Sequence, residues 1–556
     1  MDDRPYKSNR RTFLKLASSA SMGLLCTERA PAAPPVTTPL ELSENHRRAA
    51  DRRRRVVVHY DAYNALGVDF EEWIRFRFAY ADEPGSQIDA IWWDIGPLGP
   101  AVYPGPKDNP KLEPWRKLGI DWVGRLVQET RKRGLEVFWS HRVSEVDISP
   151  TGHGAAWKEP AHPFKQEHPD WLLKTWWPHG LWNYAVPEVR QFKVDLLRQI
   201  AETYDLDGFQ LDFARHVPCL PPGQQWELRH HVTQFVRMVR TMLLDVAHRR
   251  GRPILLAARV PRNLEGCRVD GFDIAEWSRQ NLVDVLTLGT RSVDVDVAAY
   301  REATDGSHIK LQPCLDDHHA TDGYRYPPIE FFRGASANWW QQGADSVVTF
   351  NWSNAPPEIC ERVEARPGPQ SQRQAYHEIG DPETLAKKGK MFVVERRGGY
   401  PWAEGFFNRN DTAPLPVKLN SDGQPTTLTI RISDDLASLA DTLKQVIVRA
   451  ILFRATTDDR FEVRLDGAPL RLLVRDAKWK DAQIFSPRPQ PASGGTGNYR
   501  VNPAQKLLRL DFSVDPQACR VGENRVDVRL ADQAANSRDV ALEKLEVHVG
   551  YSTTRG

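Results

Sequence analysis

Tyr204-Asp-Leu-Asp-Gly-Phe-Gln-Leu-Asp-Phe-Ala-Arg-His216 alternates apolar and polar residues from Gly208 onward. Successive side chains of an extended strand point to opposite faces. Phe209, Leu211 and Phe213 are therefore expected to face a layer of helices, and Gly208, Gln210 and Asp212 to face a barrel interior. Seven similar apolar runs flank this one: Val56–Tyr60, Ala90–Asp94, Glu136–His141, Ile254–Val260, Val283–Leu288, Ile309–Leu315 and Ser346–Asn351. Between them lie amphipathic stretches such as Trp122–Arg133, Val189–Tyr204 and Gln225–Arg249. Strands alternating with helices predict parallel pairing, and eight such units over about 300 residues predict a TIM-type (β/α)8 barrel. An open doubly wound sheet is the alternative. No GxGxxG follows the first strand, so nothing points to a dinucleotide cofactor.

A chain of 556 residues is too long for one ordinary core. The pattern divides it into an export signal over 1–33, a linker over 34–53, the barrel over 54–355, a second linker over 356–413 and a β-sandwich over 414–556. The last span carries period-two runs such as Phe461-Glu-Val-Arg-Leu and Leu545-Glu-Val-His-Val, with a hairpin turn at Asp466-Gly467. Its segment Gly522-Glu-Asn-Arg-Val resembles the turn before a strand in jelly-roll domains that accompany many glycosidases. A packing role is expected of it rather than sugar binding.

The export signal rests on Asn9-Arg10-Arg11-Thr12-Phe13-Leu14-Lys15, the mildly apolar run Leu16–Cys26 and the small residues Ala30-Pro31-Ala32. This resembles a twin-arginine signal and predicts a periplasmic or secreted protein. The apolar run is too short to span a membrane. With 75 basic and 73 acidic residues, the charge balance gives no reason to expect nucleic acid as a partner. Beyond the signal the cysteines are Cys219, Cys267, Cys314, Cys360 and Cys519, an odd number without CxxC spacing. A structural zinc site is not expected, and Cys219 and Cys267 are placed where they could meet near one rim.

Barrel enzymes place their chemistry at the C-terminal ends of the strands. Asp212 stands at such an end. A buried carboxylate needs a partner, a proton or a function; the partners expected for a purely structural Asp212 are Arg215 or Arg142. Of the 18 tryptophans, 16 precede residue 360, and five (Trp157, Trp171, Trp176, Trp177 and Trp182) fall in the long connection from Arg142 to Val186. Tryptophan faces stack on sugar rings as well as filling cores.

Gly208-Phe-Gln-Leu-Asp212 with Arg215-His216 resembles the fourth-strand motif of the alpha-amylase superfamily and of the family-10-type glycoside hydrolase-like barrels. Phe138-Trp-Ser-His-Arg142, His168-Pro-Asp-Trp171 and Asn183-Tyr-Ala-Val-Pro-Glu-Val-Arg190 are similar to one branch of the latter. The resemblance covers about residues 54–355. It implies a glycosidase in which Asp212 is the nucleophile. The amylase pattern also implies a Glu at the end of strand five, but that strand ends Ala257-Ala-Arg259-Val-Pro261, with Glu265 beyond it. The acid must then come from Asp94, which shares its face with Trp92, from Glu145, or from Asp316 or Asp317. Asp316, at a strand end, is the preferred partner of Asp212. Trp92, Asp94, Arg142, Glu145, Arg215, His216 and Arg259 are the expected substrate-binding set. His318-His319 permits a metal reading, although adjacent strand residues point apart. Three guanidinium groups, Arg142, Arg215 and Arg259, at one rim suit an anionic glycan. The competing expectation is a carbohydrate-binding barrel without hydrolytic power.

Overall fold

The computed structural model describes residues 38–62, 67–95, 112–144, 163–214, 216–316, 323–352, 355–397, 412–486, 500–534 and 538–552. Eight parallel strands close into a barrel: β1 (Val56–Asp61), β2 (Ile88–Asp94), β3 (Glu136–Arg142), β4 (Gly208–Asp212), β5 (Leu255–Val260), β6 (Val285–Leu288), β7 (Lys310–Leu315) and β8 (Val347–Phe350). They pair in sequential order, with β8 returning to β1. Phe209, Leu211 and Phe213 pack into the core between strands and helices. The longest surrounding helices, Pro187–Thr203 and Arg229–Arg250, follow the amphipathic runs.

The interior is filled in levels. Val57, Ala90, Trp92, Phe138, Leu255, Ala257, Val285, Cys314, Val348 and Phe350 form an apolar plug. Trp92 stacks flat on Phe138, with ring centroids 4.4 Å apart. Gly208 is required beside them, because a Cβ there would stand 2.4 Å from the Phe138 ring. Gly208→Ala is expected to destabilise the fold by about 1–3 kcal/mol through overpacking. Denaturant unfolding measures this, and an unchanged midpoint would mean that the plug can yield.

The described parts of the two spans expected as linkers, residues 38–53 and 356–397, are built into the fold. Before β1, Leu40 donates its backbone N–H to Gln280 O at 3.1 Å. The helix Glu44–Ala50 then sets Ala50 against the plug at the barrel's N-terminal end. Its His46 contacts Asp284, which also receives Arg240 and His308. Beyond β8 come three short helices, Pro357–Arg362, Gln370–Ala375 and Pro382–Leu385, and a strand, β9 (Lys390–Val393). Composition rich in Pro and Arg hid these pieces, whose order comes from what they pack against rather than from local periodicity.

The remaining major strands are β10 (Thr426–Ile432), β11 (Leu443–Phe453), β12 (Arg460–Leu465), β13 (Arg471–Asp476), β14 (Leu507–Ser513), β15 (Gly522–Asp532) and β16 (Ala541–Tyr551). One sheet runs β9-β16-β11-β14-β13 and the other β10-β15-β12, and a shared apolar core lies between them. Asp466 and Gly467 both have positive φ, as the hairpin turn requires. Asn524, buried, locks the turn before β15 by donating to Arg520 O and Gly522 O.

Barrel and sandwich lie within one compact unit. Gly334, on the helix Ile329–Gln341, lies so close to β9 that a Cβ would meet Met391 O at 2.2 Å. Ion pairs Arg262–Glu395 and Arg396–Glu543, and a Tyr324–Glu546 hydrogen bond, add polar links between or beside the two layers. The five cysteines after the signal are all buried free thiols, so Cys219 and Cys267 form no disulfide. Cys267 Sγ instead lies 2.9 Å from Tyr300 Oη. No helix among the described residues is long and apolar enough to cross a membrane.

Candidate active site

Strand alternation carries the inward series of each strand from the apolar plug to the C-terminal mouth. Directly above the plug is a hydrogen-bonded polar chain. His59 Nε2 lies 2.7 Å from Ser140 Oγ, Ser140 Oγ donates to Gln210 Oε1 at 2.8 Å, and Gln210 Nε2 donates to Thr287 Oγ1 at 2.9 Å. His59 also stacks on Phe350. Burial, reinforced by the Arg259 charge, pushes the His59 imidazole down to about 3, so it is neutral near pH 7.

Above this chain is a cluster of carboxylates and guanidinium groups, all buried. Arg259 Nε donates to Asp212 Oδ1 at 2.9 Å, and its Nη2 pairs with Oδ2. The Ala214 N–H donates to the same Oδ1 at 2.9 Å. Arg142 Nη2 donates to Asp61 Oδ1 at 2.8 Å, while its Nε lies 2.5 Å from Asp94 Oδ2. Arg291 Nε donates to Asp316 Oδ2 at 2.7 Å. The guanidinium of Arg259 sits over the Phe350 ring, 4.4 Å from its centroid. Asn351, in the left-handed region at φ 53°, accepts the backbone N–H of Asp61 at 2.7 Å.

These surroundings drive two carboxylates apart. Burial alone would raise Asp212, but the charge and hydrogen bonds of Arg259 outweigh it, and Asp212 is held below the usual carboxylate range. Asp94 is pushed up to about 7. Burial is the main cause; Arg142 opposes it, and the neighbouring negative charges of Asp61 and Asp212 add to it. The contact with Arg142 lacks hydrogen-bond geometry, and neither Asp94 oxygen has a hydrogen-bond partner. Near neutral pH the mouth therefore holds an ionised Asp212 and an Asp94 poised to carry a proton. Such divergence is how acid and base roles are separated in one site.

The structure brings Asp94, Arg142, Asp212, Arg259 and Asp316 to the mouth of one barrel, as the strand register requires. Asp212 takes its hydrogen-bonding cation, Arg259, from the next strand, while Arg142 acts on it only through its charge. Asp316 is held by Arg291. Trp92, expected to bind substrate, is fully buried with a face covered by Phe138; it supports Asp94 from below. His216 is buried beside Trp176. Trp177 and Trp182 are buried, and Trp171 stacks on His168. Glu265 is exposed on the helix Leu264–Asp270. Glu145, Trp157, Arg215, Asp317, His318 and His319 lie outside the described residues. No group of three metal-ligating side chains occurs among the described residues.

Sequence reasoning missed Asp61, His59 and Arg291. Asp61 carries a usable signal, since it ends Val56-Val-Val-His-Tyr-Asp61 in the same alternation that places His59 inward. Arg291 lies beyond β6 and reaches β7 through an isolated bridge with Leu315, which no local pattern announces.

The chain thus joins a closed barrel, with ionisable groups converging on its C-terminal mouth, to a β-sandwich. Residues 63–226, which include Asp94, Arg142 and Asp212, match the family described as Glycosyl hydrolase-like 10. The chain is 26% identical over 141 residues to Glycosyl hydrolase DigH of Escherichia coli strain K12. That match covers 22% of this chain and 30% of the relative, so it spans under a third of the curated protein. Among solved structures, the chain is similar to the GH36 alpha-galactosidase AgaA from Geobacillus stearothermophilus, with 12% identity, TM-score 0.37 and coverage of 90% of this chain and 56% of that one. It is likewise similar to an alpha-amylase from Geobacillus thermoleovorans, with 15% identity, TM-score 0.37 and coverage of 86% and 99%.

Proposed function

We propose that this protein hydrolyses a glycosidic bond at the mouth of the barrel, with Asp212 as the ionised carboxylate and Asp94 as the proton donor. The observation that carries this reading is the opposed proton affinity of the two groups. Glycoside hydrolysis uses one carboxyl group to protonate the leaving oxygen and one carboxylate to attack or stabilise an oxocarbenium-like centre. Arg259 keeps Asp212 charged, and the interior chain from His59 to Thr287 fixes the floor beneath it. Asp94 takes the acid role because burial raises its proton affinity.

Turnover by the wild-type protein on a panel of glycans tests the proposal. Release of reducing ends from one class, absent in Asp212→Asn, supports it. Binding measured by calorimetry without any turnover favours instead a carbohydrate-binding barrel, the reading suggested by the complete engagement of the Asp212 carboxylate by Arg259 and Ala214. A preference for anionic glycans has less support. Among the described residues, Arg142 faces Asp61 and Asp94, and Arg259 is bonded to Asp212.

Export through the twin-arginine route is part of the proposal, on the strength of Arg10-Arg11-Thr12-Phe13-Leu14-Lys15. Replacing Arg10 and Arg11 by Lys is expected to leave the precursor in the cytoplasm of a host with that pathway. Cell fractionation reads the result, and unchanged export of the double variant removes the assignment.

A further inference from the structure

At the N-terminal end of the barrel, opposite the mouth, a cavity of about 160 Å³ is lined by Asp51, Arg52, Arg53, Arg54, Lys310, Gln312, Asp345 and Ser346. Strand register explains the grouping. Cys314 of β7 pairs with Val348 of β8, so two residues earlier Gln312 and Ser346 stand side by side. Val347 donates its N–H to Arg55 O, which brings the segment before β1 to the same level.

Gln312 is 1% exposed and Ser346 fully buried. Neither amide atom of Gln312 has a hydrogen-bond partner, nor does Ser346 Oγ. Buried side-chain polar atoms are nearly always satisfied, and an orphaned amide beside an orphaned hydroxyl marks a place where something else bonds to them. The volume far exceeds the roughly 10–15 Å³ of centre-accessible space that one water requires.

Charge narrows the occupant. Both acidic residues of the lining already face cations: Asp51 pairs with Lys310 at 2.5 Å, and Asp345 with Arg301 at 2.5 Å. Arg54 is fully engaged by Glu136, and Arg53 pairs with Asp381. The Arg52 guanidinium donates to Gly134 O and meets no carboxylate among the described residues. With Arg53, Arg54 and Lys310 each facing a carboxylate, Arg52 leaves the rim with one unbalanced positive charge. The Gln312 amide presents an NH2 donor group and a carbonyl acceptor, so a complementary ligand needs accepting oxygens and a hydroxyl.

We propose that this cavity binds a small oxyanion of the phosphate class, seated on Gln312 and Ser346 and attracted by Lys310 and Arg52. Near neutral pH phosphate carries both accepting oxygens and an O–H for Gln312 Oε1, whereas sulfate carries acceptors only. The site lies away from the catalytic mouth and is independent of the glycosidase reading.

Inorganic phosphate titrated into the full chain tests it, with sodium sulfate and sodium chloride at equal ionic strength as comparisons. The expected result is a saturable rise in Tm of about 1–3 °C at roughly tenfold Kd, stronger for phosphate than for sulfate. Gln312→Glu keeps the shape but repels an anion and should abolish the rise. Lys310→Gln, at the partly exposed rim, should weaken phosphate binding several-fold, as read by calorimetry. Equal effects of all three salts would mean that the cavity holds water only and would overturn the proposal. A phosphate response unchanged in Lys310→Gln and Ser346→Ala would place the anion elsewhere and overturn it equally.

Discussion

Asp212→Asn should lower turnover per folded molecule by about three to four orders of magnitude, the usual effect of removing an essential catalytic carboxylate. Asparagine keeps the size of the side chain, and its oxygen can still accept from Arg259 or Ala214. It cannot attack an anomeric carbon or balance an oxocarbenium-like charge. The geometry adds a stability effect. Arg259 is buried against Asp212 through two contacts. Neutralising one member of such a pair leaves the other uncompensated, at about 3–5 kcal/mol. The variant should therefore unfold earlier and must be assayed well below its Tm. Asp212 is held below the ordinary carboxylate range, so its contribution to wild-type stability is present above about pH 4 and lost as the pH falls through its folded value. Wild-type turnover per folded molecule in Asp212→Asn would make Asp212 structural and end the catalytic assignment.

Asp94→Asn should have the opposite signature: activity falls while stability at alkaline pH rises. Asp94 is raised from 3.8 to about 7, so the folded protein binds this proton more tightly than the unfolded chain. Its contribution to stability is fully present below about pH 4 and declines as the pH climbs toward 7. The decline approaches 1.4 kcal/mol per pH unit within that window. Asparagine removes the ionisation, and Arg142 keeps Asp61 as its partner. Thermal unfolding of both forms between pH 5 and 8, the range in which about half of that window and its plateau lie, should show the wild type losing more stability. Wild-type kcat/KM should fall as the pH passes about 7, since the acid must be protonated. Parallel Tm profiles for the two proteins, together with unaltered activity in the variant, would show that Asp94 carries no functional proton.

Much of this architecture was legible because a strand buried against helices on one face and a polar interior on the other must alternate. Gly208-Phe-Gln-Leu-Asp212 declares both faces in five residues, and the eight observed strands lie within two residues of the runs that predicted them. The choice among acids was not legible. Asp94 and Asp316 both end strands inward, and nothing local distinguishes them. Asp316 meets Arg291 from beyond the neighbouring strand, whereas Asp94 shares one guanidinium with Asp61. Trp92 reads equally well as a sugar platform or as a plug, and only its stacking partner Phe138, one strand away, decides between them.

Covalent pattern and side-chain alternation thus determined the barrel, the sandwich and the inward direction of Asp212. The tertiary structure alone decided which arginine holds Asp212, which aspartate is left to retain a proton, and that residues 40–53 and 355–397 are part of the folded body. The physical reason is one of range. Alternation and amphipathicity are properties of a few consecutive residues, but a buried group's proton affinity depends on the desolvation and charge supplied by strands distant in sequence.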